Sequence, residues 1–98
     1  MQQIAQSVLY VKASGRLDMD SAVEFGTKIK DYVEDNEITE LTLDFAEVTF
    51  ISSFGLKVVL EIYQAMKDPA ILTIKNANKQ IKGSFHMVGF EKFLKIED

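Results

Sequence analysis

The sequence predicts an α/β domain, with a mixed sheet of four to five strands and three to four helices packed mainly on one face. Three observations predict it. Apolar residues recur with period two in short runs at residues 7–17, 41–45 and 71–74. Between these runs the apolar spacing changes to three and four, over residues 20–35 and again from Ser53 onward. Strands that alternate with helices lie side by side in a sheet containing parallel pairs, because each crossover helix must pack back on that sheet.

Taken in order, Val8 and Tyr10 face one way and Leu9 and Val11 the other, as in a strand or a bent hairpin. Gly15 marks a turn or bulge, and the hairpin is what makes the sheet mixed. Helix one covers residues 20–35, where Ala22, Phe25, Ile29, Tyr32 and Val33 share a face and Ser21-x-x-Glu24 has the form of a capping box. Asp35-Asn36-Glu37 ends it, and Leu41-Thr42-Leu43-Asp44-Phe45 follows as a buried strand. A second helix starts at Ser53 as its cap, with Leu56, Val59, Leu60, Tyr63 and Met66 in one stripe, and Pro69 closes it. Residues 71–74 form another strand. Asn78 then caps a third helix that turns Ile81, Phe85 and Val88 inward, with Gly89 at its C-terminal end. Phe93-Leu94-Lys95-Ile96 reads as a last edge strand.

Composition narrows the function classes. Ninety-eight residues with 47% apolar side chains fill one core, so residues 1–98 are expected to form a single domain. No apolar run approaches the roughly 20 residues of a membrane-spanning helix. Met1-Gln2-Gln3-Ile4-Ala5-Gln6 lacks a basic region followed by an apolar core, which makes a cytoplasmic location the expectation. Without cysteine there is no disulfide and no thiolate metal site. A net charge of −4 opposes nucleic-acid binding, which needs clustered Lys and Arg. No cofactor is expected. An enzyme, for instance an NTP hydrolase, is disfavoured: the chain has no Gly-x-x-x-x-Gly-Lys loop and no second histidine for a nucleophile and base pair.

The segment richest in chemistry is Leu43-Asp44-Phe45-Ala46-Glu47-Val48-Thr49-Phe50-Ile51-Ser52-Ser53-Phe54-Gly55-Leu56. A buried strand leads into a loop, and two hydroxyls meet the beginning of a helix. Free backbone amides and the positive end of the helix dipole favour an anion there by about 0.3–1 kcal/mol when exposed. A phosphate would add roughly −1.5 to −2 charges to a surface that a partner buries, while leaving the fold intact. The competing reading makes Ser53 a plain N-cap and Gly55 a close-packing residue.

Four motifs in order resemble the STAS family, the sulfate-transporter and anti-sigma-factor-antagonist domains, over nearly the whole chain. Gly15-Arg16-Leu17-Asp18 is similar to the family's Gly-x-Leu-Asp, and Leu43-Asp44-Phe45 to its Leu-Asp-Leu. Val48-Thr49-Phe50-Ile51-Ser52-Ser53-Phe54-Gly55-Leu56 resembles Val-x-Phe-Ile-Asp-Ser-Ser-Gly-Leu, and residues 88–94 resemble the family's Gly-Leu-x-x-x-Phe ending. Ser52 stands where the family commonly has an acid, and Phe54 where it has a second small residue.

The resemblance implies a STAS-like fold and a partner-switching, anti-sigma factor antagonist function. The unphosphorylated protein would bind an anti-sigma factor that is a serine kinase, freeing a sigma factor. Phosphorylation would end that complex, and a serine phosphatase would reset it. Ser53 falls on the phosphorylated serine, with Ser52 as the fallback acceptor, and the protein is substrate rather than catalyst. Asp18, Ser52, Ser53, Phe54, Gly55 and Lys57 form the implied partner-binding set, in which Phe54 is either an exposed contact or a core residue folded under the helix. The expected state is a monomer or weak dimer. Some STAS domains instead support a transporter ATPase without any phosphorylation cycle, which is the alternative function.

Elsewhere, the lone His86 reads as a solvated side chain, and Asp18, Asp20 and Glu24 as acids complementing a helix start rather than ligating a metal. Lys75, Lys79, Lys82, Lys92 and Lys95 give the C-terminal part a basic, solvated rim.

Overall fold

The computed structural model describes residues 7–97, so the expectation drawn from Met1-Gln2-Gln3-Ile4-Ala5-Gln6 lies outside the described residues. The chain runs β1 (Val8–Leu17), α1 (Met19–Asp35), β2 (Glu40–Ile51), α2 (Ser53–Ala65), β3 (Ile71–Lys75), α3 (Lys79–Met87), a 3-10 turn (Phe90–Lys92) and β4 (Leu94–Glu97). The sheet order is β1-β2-β3-β4, and each pairing is parallel. Register puts Leu9, Leu41, Leu72 and Leu94 in one row, and Val11, Leu43, Ile74 and Ile96 in the next. These rows are buried or half-buried beneath the helices. Tyr10, Thr42, Thr73 and Lys95 make the corresponding row on the open face. The α/β architecture with helices on one face is as expected.

The sheet is not mixed among the described residues. Residues 7–17 hold no hairpin: β1 is one continuous strand, paired parallel to β2. Gly15 explains the difference. Its φ of +78° falls at an irregularity in register, where Gly15 and Arg16 face Val48 and Phe50 and the extra residue, Thr49, belongs to β2, so β1 continues past Gly15 without reversing. A second irregularity lies between Lys12 and Ser14. Asp44 supports that bulge from β2: its Oδ1 accepts the N–H of Ala46 at 2.9 Å and the Asn76 side-chain amide at 3.1 Å. The Tyr10 hydroxyl donates to the other carboxylate oxygen. These donors, Tyr10 foremost, hold the Asp44 carboxyl down to about 2, and the Tyr10 hydroxyl is correspondingly raised above 10.0.

The helix faces follow the predicted periodicity with three departures. Ala22, Ile29 and Val33 of α1 are buried as expected, but Tyr32 is 49% exposed. On α2 the buried set is broader than one stripe and adds Val58 and Ile62, because this helix packs against both the sheet and α1. Gly26 makes the helix contact possible, since a Cβ there would lie 2.4 Å from Val58 Cγ1. On α3, Ile81 and Phe85 are buried, whereas Val88 is the C-cap and exposed, the helix having ended at Met87. Gly89, at φ +74°, turns the chain after it. Phe45 and Phe85 are fully buried with ring centroids 6.3 Å apart, each burial stabilising the core by about 1.5–3 kcal/mol. Phe90 and Phe93 carry the aromatic contacts outward to Tyr63.

Candidate functional site

Because the strands run in one direction, α1, α2 and α3 all begin at the same edge of the sheet, capped by Asp18, Ser52 and Asn78. The first two caps differ from those that the sequence suggests. The Ser21-x-x-Glu24 pattern predicts Ser21 as the cap of α1 with Glu24 as its partner. The cap is Asp18, and Ser21 is the residue three positions on that completes the box. The Asp18 N–H donates to Ser21 Oγ at 3.1 Å, and the Ser21 N–H faces Asp18 Oδ1 at 3.5 Å. The Ser21 hydroxyl, then its backbone N–H, hold the Asp18 carboxyl below its ordinary value, with the Arg16 charge adding to the effect. Arg16 lies 3.6 Å from Asp18 and stacks its guanidinium over Phe50 at 4.3 Å.

The cap of α2 is Ser52, not Ser53. Ser52 Oγ accepts the Gly55 N–H at 3.0 Å and donates to the Leu17 carbonyl at 3.2 Å, so its proton and one lone pair are engaged. Its backbone N–H donates to the same carbonyl at 3.0 Å. Ser53, one residue on, occupies the first helical position. It is exposed, and its hydroxyl has no hydrogen-bond partner among the described residues. Two adjacent serines therefore differ sharply in chemical availability.

Gly55 is buried against the end of β1, where an added Cβ would meet the Leu17 carbonyl oxygen at 2.6 Å and Ile51 Cγ1 at 2.7 Å. Phe54 is half-buried and packs against the core from a groove between α1 and α2, beside Val23, Gly26 and Val58. Exposed Lys57 holds its ammonium 5.9 Å from the Phe54 ring and lies one helical turn from Ser53. Asp18, Ser52, Ser53, Phe54, Gly55 and Lys57 thus gather around the starts of α1 and α2. Met19 and Val23, 64% and 48% exposed, extend the apolar part of this surface along α1.

The described residues contain no group of three or more His, Asp or Glu side chains arranged to hold a metal ion. His86 is exposed and pairs with Glu91 at 2.6 Å, far along the chain from the serines.

The STAS domain model matches residues 1–98, the full length of the sequence. The chain belongs to the STAS domain family. A solved structure of the anti-sigma factor antagonist SpoIIAA in its unphosphorylated form aligns with this STAS domain at a TM-score of 0.75, over 99% of this chain and 84% of that one. Identity is 15%, so this likeness speaks to the fold. No helix among the described residues of the STAS domain is long and apolar enough to cross a membrane.

Sequence reasoning missed Leu17, which acts through a backbone carbonyl that any residue type supplies. It also missed the α1/α2 groove. The isolated Gly26 inside a helical pattern was the available signal, since such a glycine marks a close approach when a neighbour needs the space.

Proposed function

We propose that this STAS domain is an anti-sigma factor antagonist that works by partner switching, with Ser53 as the phosphate acceptor. The observation that carries the reading is the division of labour between the two serines. Ser52 spends its hydroxyl on the cap and on Leu17, while Ser53 presents a hydroxyl unengaged among the described residues at the first turn of α2. A kinase needs a free hydroxyl, and the helix start accommodates the resulting phosphate through the helix dipole. The surrounding Asp18, Phe54, Gly55 and Lys57, with Met19 and Val23, make the contact surface. It combines half-exposed apolar groups with charges, as a reversible interface requires.

In this reading the domain is a substrate and not a catalyst. It is a single cytoplasmic domain, monomeric or weakly dimeric. Its partners are an anti-sigma factor serine kinase, bound in the unphosphorylated state, and a serine phosphatase. Phosphate on Ser53 puts about two negative charges into the interface, and each 1.4 kcal/mol of resulting cost is about tenfold in affinity. The test is tandem mass spectrometry of the protein from its own cells, together with binding of Ser53→Asp to the co-purifying kinase. A phosphate on Ser53 and weakened binding of a stably folded Ser53→Asp are expected. Absence of phosphate across growth and stress conditions, with a transporter ATPase co-purifying instead, would replace this reading with that of a constitutive subunit.

A further inference from the structure

A recess of about 270 Å³ opens between β1, the edge strand among the described residues, and α1, on the side of the domain away from the α1/α2 groove. Its lining includes Lys12, Arg16 and Lys28 against a single carboxylate, Glu24, in a chain whose net charge is −4. Ser14 adds a hydroxyl, and half-buried Phe25 provides an apolar wall. Lys12 and Arg16 are engaged in exposed ion pairs, with Glu47 at 3.2 Å and Asp18 at 3.6 Å, contacts weak enough to be exchanged for a better anion. Lys28 makes no ion pair among the described residues.

Charge along an edge strand guards by itself against unwanted strand pairing. That role explains Lys12 and Arg16. It does not explain a basic residue on the facing helix, nor a concave space with an aromatic wall between the two.

We propose that this recess binds a small organic anion, a phosphate or carboxylate carried on an apolar body. Lys28 supplies the uncommitted charge, Lys12 and Arg16 turn toward the anion when it arrives, and the apolar body lies against Phe25. Arg16 and Leu17 bring the site within one residue of the Asp18 cap and of the carbonyl that holds Ser52, so bound ligand touches the strand end on which α2 is anchored. The site stands independently of the phosphorylation reading.

The test is an amide chemical-shift titration of the ¹⁵N-labelled protein with phenyl phosphate and with benzoate, using benzyl alcohol as the neutral control. Saturable shifts confined to residues 12–17 and 21–28 are expected with either anion. Binding should weaken by about tenfold or more in the Lys12→Gln/Lys28→Gln double variant and stay unchanged in Ser53→Ala. No saturable shift at millimolar probe, equal shifts with benzyl alcohol, or undiminished affinity in the double variant would each overturn the proposal. Response of the β1 amides to an acidic extended peptide, with none to the small anions, would assign the recess to strand pairing and also overturn it.

Discussion

The Leu17 carbonyl oxygen accepts two hydrogen bonds from Ser52, one from the backbone N–H at 3.0 Å and one from the side-chain hydroxyl at 3.2 Å. One carbonyl at the end of β1 thereby anchors the first turn of α2. The cap of that helix belongs to the sheet as much as to the helix.

Ser52→Ala should therefore cost more than an ordinary exposed cap. Loss of a cap hydroxyl is worth about 0.5–2 kcal/mol, and the upper half of that range is expected because the Leu17 bond disappears with it. Urea denaturation measures the loss. Under the proposed function, phosphorylation at Ser53 should survive, since the Ser53 hydroxyl does not depend on the cap oxygen.

Gly55→Ala and Gly83→Ala should move stability in opposite directions. At Gly55 the new methyl collides with Leu17 O and Ile51 Cγ1, one a backbone atom that cannot yield without shifting β1, and about 1–3 kcal/mol is expected to be lost. At Gly83, exposed within α3, nothing lies within 4 Å of the added Cβ, so the better helix former should gain up to about 1 kcal/mol. Thermal melts of the two variants side by side decide the point.

Gly26→Ala should destabilise by pushing Val58 away from α1, given the 2.4 Å approach to Val58 Cγ1. Val58→Ala opens a cavity at the same place. The double variant should be less damaged than the sum of the two, because the new methyl occupies the vacated space. A double-mutant cycle with additive losses would show that the helices relax apart instead.

Asp44 should make stability fall at acid pH. Its folded pKa, about 2, lies below the ordinary value of 3.8, so the carboxylate's contribution is fully present above the unfolded value and is lost as pH drops from about 4 through 2. Tyr10→Phe removes the leading donor and should raise the Asp44 pKa, narrowing that window. A carbon-detected NMR titration of the Asp44 carboxyl in both proteins reads the shift directly.

Much of this architecture is legible in the sequence because each signal is local. Alternation in residues 8–11, the three-and-four spacing of Ala22, Ile29 and Val33, and the Asn78 cap require no knowledge of neighbours. The departures involve relations between elements. A glycine at positive φ ends a hairpin arm or sits in a bulge, and the choice at Gly15 depends on how β1 registers against β2. Tyr32 shares a helical face with Ile29 and Val33 yet lies beyond what the sheet covers. At the candidate site, the sequence shows two serines but not which one caps. That depends on where β2 stops, and β2 runs through Ile51 rather than ending near Phe45.

The paired span itself determines that endpoint. From the Val8–Glu40 pair to the Leu17–Ile51 pair, β2 uses two more residues than β1. A deletion of one codon between Ala46 and Thr49 would leave the serines, the glycine and the helix residues intact in composition. It would nevertheless draw α2 back by about 3.3 Å and turn the remaining strand residues, up to Ile51, to the opposite face of the sheet. Spacing upstream of the serines decides which hydroxyl is tethered and which one faces solvent.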